Sequence, residues 1–392
     1  MIVFENFYKN LKNTYSYILY FLPFALVTGP FFSDLTIVLS SLLFIFFSLK
    51  EKKYYFYFNK YFIIFLLWCL YLIFSSLLSS NIMLSLESSL FYFRFGFFSL
   101  SIWYILEINS KFLNNFLKSI TIVFLFLIVD SLIQLYFGKN IIGFGYDKAR
   151  LSSFFGEEKI LGSFLSRLSP FFILFLIINK QFNKYYLIIF SFCLLLFIVF
   201  LTGERSALLY LIMTMFIIIF SSKYRLLYKL LFLISLIIVS ITVILSFENI
   251  YKRIILQTYN DFTKNDNFHI FSEFHQRCYE ISLNEFTNKP IFGIGPKISR
   301  QIYIDLRNND IPNHGIEKKA HEIAPTCISH PHNYYVQLLS ETGIIGTIPI
   351  IILLLIVTYK IFKNILLNNF YNKNYIDEKI LIFYLSIFIS IF

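Results

Sequence analysis

Long apolar runs, separated by short polar segments, follow one another along almost the whole chain. A hydrocarbon core of about 30 Å is crossed by a helix of roughly 17 to 25 residues, and only a helix satisfies the backbone of such a run within lipid. Eleven runs fit this pattern, and they lie near 13–29, 33–49, 61–79, 87–106, 117–137, 161–178, 185–201, 206–220, 230–247, 342–359 and 378–392. The pattern predicts an all-α polytopic membrane protein, with the first run a spanning helix rather than a cleaved signal.

The distribution of lysine and arginine predicts the orientation of these helices. Loops such as "KEKKYYFYFNK" (50–60) and "NKQFNK" (179–184) are strongly basic, whereas the loops at 30–32 and 80–86 contain neither residue. Because cytoplasmic loops are enriched in basic residues, the N-terminus is expected in the cytoplasm. The loop at 138–160 is basic but is expected outside, so it is an exception.

Three regions follow from this topology. Residues 1–247 are predicted to hold about nine transmembrane helices, and 248–341 to form one large periplasmic loop. Residues 342–392 are predicted to hold the C-terminal transmembrane helices, and a truncated last helix stays open because the final run ends with the chain.

Composition agrees with a membrane protein and excludes several other classes. The chain is 57% hydrophobic and only 15% charged, far from the balance of a soluble domain. A net charge of +11 is explained by lysine in cytoplasmic loops rather than by nucleic-acid binding. The four cysteines lack metal-ligand spacing, and a disulfide between Cys278 and Cys327 stays open.

Several ionisable residues lie within or beside the apolar runs, and the predicted topology places them on the outer side. Arg94 and Asp130 are interpreted as a buried, structural ion pair, and Arg167 lies about two turns into its helix. Arg205, in "LTGERSALL" (201–209), stands on an outer turn. Its planar guanidinium group suits a phosphate, because the group donates parallel hydrogen bonds and stays charged when partly desolvated.

All six histidines lie in the segment 248–341, and they are His269, His275, His314, His321, His330 and His332. Their spacing is not that of a strong metal site, so no metal is expected. Within "HPHNYYVQLLSETG" (330–343), Pro331 disfavours helix at His330 and Asn333 can cap the helix that follows. His332 is thereby predicted to be held at the membrane surface, where it can act as a general base near neutral pH.

The same stretch resembles a motif of the O-antigen ligase and O-antigen polymerase superfamily. In that family a His-Asn element precedes an amphipathic helix, an E-x-G-x-x-G turn and a membrane helix, as in "HPHNYYVQLLSETGIIG". Three further stretches occur in the family's order: "RLSSFFGEEKILGSFL" from Arg150, "LTGERSALL", and "RCYEISLNEFTNKPIFGIGP" from Arg277. Glu204 and Ser206 stand where the family often has small residues, a departure expected to retune phosphate contact at Arg205.

The resemblance implies a GT-C-like bundle of about 11–12 transmembrane helices with one large periplasmic loop, in the bacterial inner membrane. It implies an inverting, metal-independent and cofactor-free transfer of a glycan from undecaprenyl diphosphate to an acceptor in the periplasm. The implied roles are a general base at His332, donor binding by Arg205, Arg277, Arg150 and Asn333, and structural or secondary roles for Arg94, Asp130, Arg167, His330 and Glu341.

The acceptor distinguishes the alternatives within the family. A ligase would use the lipid A core, a polymerase a second lipid-linked glycan, and an oligosaccharyltransferase a protein. The His-Asn element and the large late loop favour the ligase. A polysaccharide flippase, a different class, would need charged residues at mid-depth and on both membrane sides, whereas these lie on the outer side. The bilayer is the other expected partner, and nucleic acid is not expected.

Overall fold

The computed structural model describes residues 2–146, 150–179, 185–221, 225–263, 273–308 and 330–371. These residues form two compact units. The first comprises the described residues of Met1–Ser40, Ile105–Thr258 and Thr358–Phe392, and the second those of Ser41–Tyr104 and Tyr259–Val357.

The described residues are almost entirely helical. In chain order the helices are α1 (Ile2–Thr28), α2 (Pro30–Lys50), α3 (Lys60–Leu77), α4 (Ile82–Ser89), α5 (Phe93–Ile108), α6 (Phe112–Phe137), α7 (Leu161–Ile178), α8 (Tyr185–Thr202), α9 (Arg205–Ser221), α10 (Leu226–Ser246), α11 (Glu248–Tyr251), α12 (Gln257–Phe262), α13 (Glu273–Asn288), α14 (Ile298–Asn308) and α15 (Tyr334–Tyr371). Short 3₁₀ turns occupy Tyr54–Phe56 and Ser153–Glu158, and a π-helical turn occupies Lys252–Leu256.

Ten of the eleven predicted runs coincide with these helices, and the eleventh, 378–392, lies outside the described residues. Seven helical segments of the described chain are long and apolar enough to cross a bilayer: Pro30–Lys50, Lys60–Leu77, Ile82–Ile108, Phe112–Phe137, Leu161–Ile178, Leu226–Ser246 and Tyr334–Lys360. The all-α polytopic fold is therefore confirmed. The segment that contains the run at 87–106 has one turn within it, at residues 90–92 between α4 and α5.

Helix α7 lies at the centre of the first unit, where it packs against α6, α8 and α9. Their shared core contains fully buried Leu165, Leu195 and Leu211, and the Phe124 ring of α6 stacks on Phe172 of α7 at 5.3 Å. Helix α10 packs against α8 and leaves most of its other apolar side chains exposed. Such a face is what a lipid environment permits.

The segment 248–341, predicted as one large loop, is itself substantially helical where it is described. It contains α11, the π-helical turn, α12, α13 and α14. Helix α15 begins at Tyr334, before the predicted span, and is interrupted at Gly343, whose φ of 63° and ψ of −168° are not helical. The E-x-G-x-x-G stretch is therefore a break between a short helix and a membrane-spanning helix, as the resemblance implies.

Candidate active site

Asp130, near the end of α6, holds the loop that follows its own helix. Its fully buried carboxylate accepts hydrogen bonds from the Ser153 hydroxyl at 2.5 Å, the Ile141 N–H at 2.9 Å and the Asn140 side chain at 3.3 Å. These donors satisfy a charge that would otherwise be costly to bury. The predicted pairing of Asp130 with Arg94 was therefore wrong, because loop donors occupy this carboxylate.

Gln134, one turn later, fixes the far end of the same loop. Its side-chain oxygen accepts the N–H groups of Ser152 at 3.1 Å and Ser153 at 2.8 Å. The N–H of Leu151 then bonds to the carbonyl of Leu201, at the end of α8, at 2.9 Å. Buried polar groups on α6 thus determine where Arg150 stands.

Arg150 donates to the backbone beside the Thr202–Arg205 turn, which joins α8 to α9. Its Nε bonds to the Thr202 carbonyl and its Nη2 to the Lys159 carbonyl, both at 2.9 Å. The last carbonyls of a helix have no partner within that helix, and a cation close to them is favourable. Arg150 therefore stabilises the end of α8, through contacts that the sequence did not reveal.

Glu204 caps α7. Its carboxylate accepts hydrogen bonds from the Gly162 N–H at 2.8 Å, the Ser163 N–H at 3.0 Å and the Ser163 hydroxyl at 2.6 Å. A carboxylate at a helix N-terminus both satisfies orphan donors and complements the helix dipole. The departure from a small residue at this position is thus explained by a structural contact with α7.

Arg205 is half-buried at the first position of α9, directly after the turn. Its Nη1 donates to the Thr258 hydroxyl at 3.1 Å. A further arginine, Arg253, donates from Nε to the carbonyl of Gly203 at 2.9 Å, and Gly203 has the left-handed φ of 65° that a tight turn requires. Arg253 was missed by the sequence analysis, because nothing in its spacing distinguishes it from other basic residues after a membrane span.

The two remaining arginines of the apolar runs lie against aromatic rings. The guanidinium of Arg167 is 5.8 Å from the centre of the Tyr210 ring, and that of Arg94 is 5.0 Å from the Phe95 ring. Cation–π contacts of this kind partly offset the loss of hydration. These contacts are compatible with the secondary roles that the sequence predicted for both residues.

The histidine segment lies in the second unit, at the start of α15. Asn333 is the N-cap, and its side-chain oxygen accepts the N–H groups of Tyr335 at 3.0 Å and Val336 at 3.2 Å. The predicted cap is therefore confirmed. Pro331 is buried, and His332 has a left-handed φ of 55°, a conformation that is uncommon for a residue other than glycine.

Two other imidazole rings surround His332. The ring of His330 lies 4.3 Å away between centroids, and that of His275 lies 5.7 Å away in an edge-to-face arrangement. Partial desolvation, and then the proximity of His330 and His275, lower the pKa of His332. A lowered pKa keeps the ring neutral, and so able to accept a proton, at neutral pH.

Helix α13 brings His275 to this cluster, a contact that the sequence did not predict. Arg277 follows two positions later on the same helix and is half-buried. At 3.6 residues per turn, two positions correspond to about 200° around the helix. Arg277 therefore leaves α13 on a different face from His275.

Two motifs identified separately in the sequence are joined by their backbones. The segment 290–295 and the break in α15 exchange four hydrogen bonds, from Ile294 to Ser340, Gly295 to Glu341, Ile344 to Pro290 and Ile345 to Ile291, with lengths of 2.9 to 3.3 Å. A Cβ atom on Gly293 would lie 2.5 Å from the carbonyl carbon of Glu341, and one on Gly343 would lie 2.6 Å from the Gly293 nitrogen. We call this the paired-glycine contact; only glycine permits it.

Glu341, next to this contact, is buried and bonds to neighbouring parts of the protein. Its carboxyl group accepts a hydrogen bond from the Gln337 side chain at 3.1 Å and lies against the backbone of Lys297, before α14. The predicted secondary role of Glu341 is compatible with these contacts. They connect α15 to the segment between α13 and α14.

The described cysteines differ in state. Cys278 is disulfide-bonded, whereas Cys69 and Cys193 are free. Cys327 lies outside the described residues, as do His269, His314 and His321. Within the described ranges, no group of three histidine, cysteine or acidic residues is arranged to hold a metal ion.

The predicted site residues are thus distributed over both units. Arg150 and Arg205 lie together at one turn of the first unit, with Arg253 and Glu204. His332, Asn333 and Arg277 belong to the second unit, as do His330, His275, Glu341 and Arg94. These features define a polytopic membrane protein with one arginine-rich turn and one helix that begins beside a histidine cluster.

Comparison with known families agrees with this class. Residues 190–351 match the family described as O-Antigen ligase. The matched range contains Arg205, Arg277 and His332, whereas Arg150 precedes it. No curated protein matched the chain. The resemblance to the O-antigen ligase and polymerase superfamily is therefore confirmed over this range.

Proposed function

We propose that the protein is a glycosyltransferase of the O-antigen ligase type. It moves a glycan from undecaprenyl diphosphate to the lipid A core on the periplasmic face of the inner membrane. The reaction inverts the anomeric carbon and needs no metal. The observation that supports this proposal most directly is His332, which is held at a capped helix start with its pKa lowered.

His332 is proposed as the general base. It removes the proton from an acceptor hydroxyl, whose oxygen then attacks the anomeric carbon as the bond to the diphosphate breaks. A neutral imidazole is required for this step, and the neighbouring His275 and His330 rings favour that form. Asn333 contributes by fixing the backbone at the start of α15.

Arg205 and Arg277 are proposed to bind the donor diphosphate. As the glycosidic bond breaks, negative charge grows on the leaving diphosphate, and guanidinium groups placed beforehand stabilise that charge. This role makes a divalent metal unnecessary. Arg150, with two of its nitrogens bonded to backbone carbonyls, is proposed to act in substrate binding mainly by holding the turn that presents Arg205.

The disulfide at Cys278 supports a periplasmic site. Disulfides persist in oxidising compartments such as the bacterial periplasm and are rare in the cytosol. Cys278 is adjacent to Arg277 on α13, so the compartment that permits the disulfide is also the one that Arg277 would face.

The proposal is tested first with the purified protein, a lipid-linked glycan donor and a lipid A core acceptor. His332→Ala should abolish transfer while the protein still inserts and folds, whereas His330→Ala should be milder. Transfer should survive EDTA. Full activity of His332→Ala would show that His332 is not the general base. A strict requirement for a metal would show that the arginines do not replace one.

A gene deletion then identifies the acceptor. Loss of all polymer from the core, with lipid-linked polymer accumulating, is expected on a lipopolysaccharide gel. A core bearing a single repeat would instead identify a polymerase.

A further inference from the structure

Three arginines converge on the Thr202–Arg205 turn, although the sequence singled out only two of them. Arg253 donates from Nε to the Gly203 carbonyl, and Arg150 donates from Nε to the preceding carbonyl, of Thr202, each at 2.9 Å. Arg205 itself follows two residues after Gly203. This four-residue turn therefore contains one arginine and accepts hydrogen bonds from two others.

Capping the C-terminus of α8 does not by itself explain why three arginines lie at this turn. One cation near the last carbonyls of a helix is a common stabilising feature, and Arg150 already provides it. Glu204, the acidic residue of the turn, bonds through both carboxylate oxygens to the N-terminus of α7, and one of these oxygens also lies 4.0 Å from the Arg150 guanidinium. Three arginines at one turn favour an anion with several negative charges, such as a diphosphate, as the ligand.

The backbone around Arg253 also fits a binding role. Arg253 lies in the π-helical turn Lys252–Leu256, and π-helical turns occur often at functional sites. This turn follows directly on the end of α10 and the four-residue α11, and α12 then supplies Thr258, which accepts the hydrogen bond from Arg205. A single short segment therefore contacts the turn at two points, through Arg253 and Thr258.

We propose that Arg253 is a third arginine of the donor-phosphate site, oriented by its hydrogen bond to the Gly203 carbonyl so that its charge stands beside Arg205. A guanidinium has five N–H donors in a planar fork, so one group can bond to a backbone carbonyl and also donate to a phosphate. The proposal rests on the proposed function, since it assigns a further residue to the same donor.

The experiment compares Arg253→Gln and Arg253→Lys with the parent protein, purified at full length. Glutamine can still donate to the Gly203 carbonyl but lacks the charge, whereas lysine keeps the charge. The probes are inorganic diphosphate as an inhibitor and the lipid-linked donor as substrate. Arg253→Gln should weaken diphosphate inhibition and raise the donor KM by roughly ten- to a hundredfold, the value of one charge-assisted hydrogen bond, with a smaller change in kcat.

Arg253→Lys should recover part of the loss. The matched control is Lys252→Gln, which removes an exposed cation paired with Glu248 at 2.6 Å and should leave diphosphate inhibition unchanged. If Arg253→Gln lowers thermal stability and kcat together but leaves diphosphate inhibition intact, Arg253 only supports the fold and the inference is wrong.

The inference and the proposed function fail differently. Arg205→Ala and His332→Ala are measured in the same preparation. If both lose transfer while Arg253→Gln binds diphosphate normally, only the inference is overturned. If both retain transfer, the proposed function itself fails.

Discussion

Replacing Gly343 by alanine tests the paired-glycine contact, which connects the Arg277-bearing segment to the helix that begins beside His332. Gly343 combines a φ of 63° with a ψ of −168°, a region that is almost confined to glycine and costs other residues about 1–3 kcal/mol. The added Cβ would also lie 2.6 Å from the Gly293 nitrogen, a distance that real Cβ atoms do not tolerate. The two backbones must therefore separate.

The expected cost follows from the bonds that separation removes. Four backbone hydrogen bonds cross the contact, and each contributes roughly 0.5–1.5 kcal/mol. Losing about half of them, in addition to the strain, destabilises the second unit by about 2–6 kcal/mol. Gly138→Ala is the matched control, because Gly138 has a φ of 74° but no atom near its Cβ position, so it should cost only about 1–2 kcal/mol.

Cys69 provides a local assay. Its thiol is buried on α3 and packs with Trp68, Leu72 and, from α15, Leu338. In a Cys193→Ala background, a thiol-reactive dye should label Cys69 at a clearly lower temperature in Gly343→Ala than in Gly138→Ala, and glycan transfer should fall only in the former. Equal labelling temperatures and equal activities of the two variants would refute the reasoning.

Two further predictions concern residues of the two units. His332 accepts a proton only when neutral, so kcat/KM should rise with pH through its lowered pKa. His275→Ala removes one cause of that lowering, so the rising part of the pH profile should move to higher pH. An unchanged profile would contradict the assignment of His332 as the general base. Glu204→Ala removes the cap of α7 and should cost about 2 kcal/mol in thermal unfolding, whereas Glu204→Gln, which keeps one acceptor oxygen, should cost less. Unchanged stability of Glu204→Ala would show that the carboxylate does not cap α7.

The sequence predicted the membrane fold well because lipid imposes one simple rule. The backbone N–H and C=O groups of an apolar run have no water to bond to in lipid, so the run must be helical. Nearly every predicted run therefore coincided with a helix. The N-cap at Asn333 was equally predictable, since it depends only on local chemistry. The break at Leu90–Tyr92 was not predicted, because its residues are apolar and aromatic and therefore leave no sign in the hydropathy of the run.

Long-range polar contacts were the part that pattern reasoning could not predict. Asp130 was expected to pair with an arginine because opposite charges in lipid are favourable together, yet backbone and hydroxyl donors of the following loop satisfy it instead. Periodicity and charge do not encode such partners. His275 and Arg253 were missed for the same reason. Their importance depends on contacts made only after folding, with the His332 ring and the Gly203 carbonyl respectively.

Glu204 shows how one charge can separate two functions of a single turn. An acidic residue directly before Arg205 would weaken an anion site if its carboxylate faced the ligand, because it would repel a diphosphate. Its oxygens bond instead to the N-terminus of α7, where negative charge is favourable, and its nearest oxygen is 4.0 Å from the Arg150 guanidinium. The acid thus stabilises α7 and Arg150, so a carboxylate in this turn is compatible with the proposed binding of phosphate by its arginines.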